Sequence, residues 1–71
     1  MKKTVEVDKQ HWIKFEQFLK DEQIMVMDCL ELNNMYQSKM WEVVVNERQL
    51  KELEQLNYIY SIEDTPRISI T

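Results

Sequence analysis

Two short runs constrain the fold most: residues 24–32 (IMVMDCLEL) and 40–45 (MWEVVV) each read as a β-strand, and each is apolar on both faces. Strand side chains alternate, so Ile24, Val26, Leu30 and Leu32 fall on one side of the first run and Met25, Met27, Cys29 and Glu31 on the other. In the second run Trp41, Val43 and Val45 oppose Met40, Glu42 and Val44. Neither strand has a water face. Both need cover on two sides, which predicts a surface meant for a partner.

Only two helical patterns are available to supply that cover. After a short alternating strand at residues 4–7, Asp8 is placed to act as N-cap for a helix carrying Trp12, Phe15, Phe18 and Leu19 on one stripe, with Lys14, Gln17 and Lys20 facing away. Residues 21–23 close it. Asn46 is the expected N-cap of the second helix, with Glu47 at its positive end and Leu50, Leu53 and Leu56 on its apolar stripe. The chain has no glycine, so the Asn33-Asn34 pair is the best signal for a turn that uses the left-handed conformation. A further strand is expected at 58–62, and Asp64-Thr65-Pro66 can turn residues 67–71 back as a C-terminal hairpin strand.

The resulting order, β-α-β-β-α-β, resembles the split βαβ, ferredoxin-like arrangement, an α+β fold in which both helices pack on one face of an antiparallel sheet. Residues 1–71 are then one α+β domain. The opposite face stays open and displays Met25, Met27, Cys29, Met40 and Val44 as a dimer face, with tyrosines or Ile59 from the fourth strand and Glu6, Glu31 and Glu42 among them. Burying each large apolar side chain stabilises by about 1.5–3 kcal/mol, and monomers seldom leave such patches bare. The competing reading is a bulge near Asp28 that moves Met25, Met27, Leu30 and Leu32 into the core.

Size and charge point the same way. At 71 residues the core is small enough for oligomerisation to be a common remedy, and 44% apolar with 31% charged side chains is a folding composition, not a disordered one. Residues 1–20 hold five basic and three acidic side chains, whereas 21–71 hold four and ten, giving the overall charge of −4. The acidic part disfavours direct contact with nucleic acid or an anionic membrane and suits a basic partner. One cysteine, Cys29, fits a reducing cytoplasm, and residues 1–9 contain no apolar signal-peptide core.

Catalytic apparatus is thin. Without glycine, phosphate-cradling loops cannot be built, and His11 and Cys29 are the only residues of their kinds, too few for a zinc cluster. The reading is a non-enzymatic protein with no metal and no cofactor. The carboxylate pairs Asp21-Glu22, Glu52-Glu54 and Glu63-Asp64 lie at helix ends, on a helix face or in a turn, where no apolar pocket raises a pKa. RNA-recognition modules share the topology but combine sheet aromatics with basic residues, and here the central strands carry acids. The expected function is therefore that of a dimeric interaction protein that occludes a basic surface, such as that of a nucleic-acid-binding protein, in the manner of a phage-type inhibitor or DNA mimic. Asp28, Glu31, Glu42, Glu47, Glu52, Glu54, Glu63 and Asp64 are its expected contacts. The alternative is a small ligand-binding regulatory module of the same fold.

Overall fold

A computed structural model describes residues 1–64; the expected hairpin strand at 67–71 lies outside the described residues. The elements run β1 (Lys2–Val7), a 3-10 turn (Lys9–His11), α1 (Trp12–Asp21), β2 (Met25–Glu31), β3 (Lys39–Val44), α2 (Glu47–Glu54) and β4 (Ile59–Asp64). The strands form one antiparallel sheet in the order β2-β3-β1-β4. It is a small α+β protein with a four-stranded sheet and two helices.

Cross-strand partners share a face, so the pairing Val5↔Trp41 puts Val5, Val7, Trp41 and Val43 together. Those four side chains form one buried cluster with Phe15 and Leu19 of α1 and Leu53 of α2. Both helices are therefore seated on the same side of the sheet. Phe15 meets Trp41 edge to face at 4.8 Å, an arrangement that adds to the area both rings bury. The helices are also tied to each other where the α2 N-terminus meets the α1 C-terminus: the Gln49 amide donates to the Glu22 carbonyl at 2.9 Å, and Arg48 pairs with Glu22 at 3.1 Å.

The absence of glycine shapes each turn. Helix α1 ends with the Ile24 N–H bonded to the Leu19 carbonyl and the Gln23 N–H to that of Lys20, a Schellman closure whose left-handed position is taken by Gln23 at φ 54°. A side chain with a Cβ pays roughly 1–2 kcal/mol there. Between β2 and β3 the left-handed residue is Gln37, φ 51°, and not the Asn33-Asn34 pair. Asn34 works through its side chain, whose Oδ1 accepts from the N–H groups of Tyr36 and Ser38 at 3.1 Å each. Asp8 likewise departs from expectation: its carboxylate bonds the His11 ring at 2.6 Å and caps no backbone amide. Asn46 does cap α2, in a reciprocal box with Gln49.

The pairing of β2 with β3 slips between Val26 and Asp28, leaving Met27 without a partner, and then resumes with Asp28↔Glu42, Cys29↔Trp41, Leu30↔Met40 and Glu31↔Lys39. A bulge therefore forms next to Asp28, with a different result from the one expected. Cys29 and Glu31 turn to the helix side, and Asp28 and Leu30 turn to the open side. Met25 and Leu30 stay 62% and 61% exposed and do not enter the core, because both stand on the side of the sheet away from the helices.

Candidate interaction face

On the open face, one row crosses all four strands: Glu63 of β4, Thr4 of β1, Glu42 of β3 and Asp28 of β2. The next row is Ser61, Glu6, Met40 and Leu30, and the row on the other side holds Lys2, Val44 and Met25. With strands roughly 4.8 Å apart, Asp28 and Glu42 are neighbours and Glu63 stands about two strands beyond Glu42. Four carboxylates thus face one lysine.

Two bulges build this row. Val26 and Ile59 pair with core-side residues, so plain alternation would carry Asp28 and Glu63 to the helix side. The extra residue at Met27 turns Asp28 outward, and the one at Tyr60, between Ile59↔Val7 and Ser61↔Glu6, does the same for Glu63. Among the described residues Glu6, Glu42 and Glu63 form no ion pair. Asp28 accepts the Cys29 N–H at 2.7 Å.

Apolar groups surround the acids. Exposed Met25 and Leu30 and half-buried Met40 and Val44 lie in the flanking rows. Tyr60 meets Tyr36 from the β2–β3 loop with ring centroids 5.8 Å apart. A fourth-strand tyrosine on this side was expected from the sequence, but its contact with Tyr36 was not, since the partners are 24 positions apart and one of them sits in a bulge; Ile59, the other residue expected here, pairs with core-side Val7.

The remaining expected contacts lie elsewhere. Glu31 is on the helix side across from Lys39. Asp64 accepts from the Lys3 ammonium, which holds its carboxyl below the usual range. Glu47, Glu52 and Glu54 are exposed on α2, behind the sheet. Of the expected dimer face, Met25, Met40 and Val44 share the open side, Met27 protrudes at the bulge, and Cys29 is turned away.

The two candidate reactive residues, Cys29 and His11, sit in different surroundings. Partial burial pushes the Cys29 thiol pKa up, and the hydrogen bond and charge of Lys39, which act the other way, do not prevail. The Lys39 ammonium lies 5.0 Å from the Trp12 ring centre, 5.4 Å from that of Trp41 and 3.9 Å from Glu16. His11, held by Asp8, stacks on Tyr58 at 5.2 Å, and burial raises the Tyr58 pKa. Among the described residues no group of three or more His, Cys, Asp or Glu side chains could hold a metal ion, and no helix is long and apolar enough to cross a membrane. No protein-family model matches the chain, and no curated protein or solved structure matches it significantly.

Proposed function

We propose that this chain is a non-enzymatic interaction protein of ferredoxin-like fold whose open sheet face docks on, and occludes, a basic surface of a partner protein, of the kind that otherwise holds nucleic-acid phosphates. The fold assignment is supported by the interleaving of two crossovers, β1-α1-β2 and β3-α2-β4, in the order β2-β3-β1-β4. One observation carries the function: the row of Asp28, Glu42 and Glu63, with Glu6 beside it, presented on a face whose apolar side chains no helix covers. Charge gives such a contact its steering and register, while the methionines and Leu30 supply area to bury. The two surfaces expected from sequence, one apolar for self-association and one acidic for a partner, interleave on one face. Pairing that face with a second copy would set carboxylate against carboxylate, so both features are assigned to the same basic partner.

Affinity capture from a bacterial lysate tests this. Immobilised protein should retain a nucleic-acid-binding protein at low salt, release it near roughly 0.5 M salt and lose it to competing duplex DNA. Glu42→Lys with Glu63→Lys should abolish retention, and Glu47→Lys with Glu54→Lys on α2 should not. Absence of any basic protein at low salt, or indifference to the sheet substitutions, would overturn the reading.

A second reading, a small ligand-binding regulatory module, has one observation in its favour. A groove of about 430 Å³ runs between α1 and β2, with Leu19, Ile24, Val26 and Trp41 in its walls. Its size falls in the range of small-molecule sites. A metabolite screen by thermal shift separates the two, because a ligand module is stabilised with little salt dependence.

A further inference from the structure

β2 offers more than a face: it offers a free edge. All seven of its residues are exposed, and among the described residues it pairs on one side only, with β3. The Leu32 N–H bonds the Ser38 carbonyl at 2.7 Å, which marks Leu32 and Ser38 as a hydrogen-bonded pair. Antiparallel pairs alternate, so Leu30 and Met40 are bonded as well, while the backbone groups of Cys29 and Glu31 point away from the sheet. The Cys29 amide agrees with this, since it donates at 2.7 Å to the Asp28 carboxylate and not to β3. Asp28 thus sits over the one outward amide next to the bulge.

The side chains along this edge specify what can add to it. Asp28 and Leu30 stand on the open side, Cys29 and Glu31 on the helix side. Cys29 also borders the groove under α1, whose walls include Leu19, Ile24, Val26 and Trp41. A strand laid against residues 28–31 places its own side chains directly opposite Asp28, Cys29, Leu30 and Glu31 in turn, where opposite charges and apolar pairs attract and like charges repel. The complementary pattern is basic, apolar, apolar, basic, and it reads the same in either direction.

We propose that an extended segment of the basic partner, carrying a Lys or Arg on each side of two apolar residues, adds to β2 as a fifth strand beside residues 28–31. The inference rests on the reading of a basic partner given above and names the part of that partner that is recognised. Main-chain bonds to Cys29 and Glu31 hold the segment, and the alternating side chains select it. Its first basic residue draws the Asp28 carboxylate off the Cys29 amide, which is then free to donate to the incoming strand. A second copy of this chain gains no charge pair there: only residues with outward backbone groups can meet across the edge, and the antiparallel register centred on Leu30 sets Cys29 against Glu31 and Asp28 against Leu32.

Two blocked peptides of equal composition and charge test the pattern, Thr-Lys-Val-Val-Lys-Thr and Thr-Val-Lys-Lys-Val-Thr, titrated into the full chain with amide exchange read by NMR. The first should bind about tenfold more tightly, given four matched cross-strand pairs, and should slow exchange at Cys29 and Glu31. Asp28→Lys with Glu31→Lys should lose that peptide and gain its counterpart with glutamates in place of the lysines. Equal, salt-sensitive binding of both peptides, with the changes centred on Glu42 and Glu63, would overturn strand addition and leave the acidic face standing. No binding of either peptide would overturn it too, and the lysate capture then decides the underlying reading separately. Sedimentation of the protein alone as a dimer with Cys29 and Glu31 amides already protected would overturn the choice of occupant.

Discussion

β2 and β3 are near-equals as sequences and opposites in the fold. Each is a run of β-favouring apolar residues with an acid near its middle, Asp28 in one and Glu42 in the other, and β2 ends on a second acid, Glu31. In β3, Trp41 and Val43 are buried under the helices, and Val45 just beyond its end is buried with them. In β2 no residue is buried. Position in the sheet separates them: β3 lies between β2 and β1, whereas β2 has, among the described residues, a neighbour on one side and a bulge that turns its second half over. Hydrophobicity fits a strand for burial, and neighbours decide whether burial happens.

The sharpest way to break this comparison is to cut a large side chain from each strand. Trp41→Ala should cost about 3–5 kcal/mol in urea unfolding, enough to unfold much of so small a domain, because it empties the space against Phe15. Leu30→Ala, on an exposed edge, should stay within roughly 0.5 kcal/mol. A loss at Leu30 comparable to that at Trp41 would mean β2 is covered.

Ser38 tests the junction of the two strands. Its hydroxyl is fully buried without a hydrogen-bond partner among the described residues, so Ser38→Ala should stabilise by about 1 kcal/mol in the same measurement. A destabilised variant would show that the hydroxyl has a partner.

Cys29 sharpens the comparison at the place where the strands touch. With its pKa pushed up by partial burial against β3, it should react with iodoacetamide at pH 7 more slowly than an unhindered cysteine. Lys39→Met should slow it further, since the lysine is what lowers the pKa. Faster reaction in the variant would contradict the Lys39 contact.

The smallest effect belongs to the opposite edge. Lys3 lowers the Asp64 pKa, so the stability this pair contributes is complete above the ordinary carboxyl value, near 4, and is lost as pH falls through the lowered one. Stability curves of the native chain and Lys3→Met should therefore converge on acidification, with the native chain above the variant at neutral pH.

Much of the architecture was legible in the sequence because its signals are local. Helix α2 follows from Asn46 and the leucines at 50, 53 and 56, and α1 from the aromatic stripe, since caps and i, i+3, i+4 spacing need only neighbours along the chain. The site was legible in its parts and not in its arrangement. Asp28, Glu42 and Glu63 were expected contacts, but so were Glu47, Glu52 and Glu54, whose helix packs behind the sheet, and no local signal shows that Asp28, Glu42 and Glu63 fall in one row.

What the sequence determined by itself is the order of elements, the Asn46 cap of α2 and the surplus of carboxylates after residue 20, all set by residue type and short-range spacing. Tertiary structure alone decided which face each strand residue shows. A single unpaired residue at Met27 and another at Tyr60 reverse the alternation of everything that follows, bringing Asp28 and Glu63 into line with Glu42 and turning Cys29 away. Register is chosen by hydrogen bonding and packing between strands far apart in the chain, and with a period of two, a shift of one residue exchanges inside for outside.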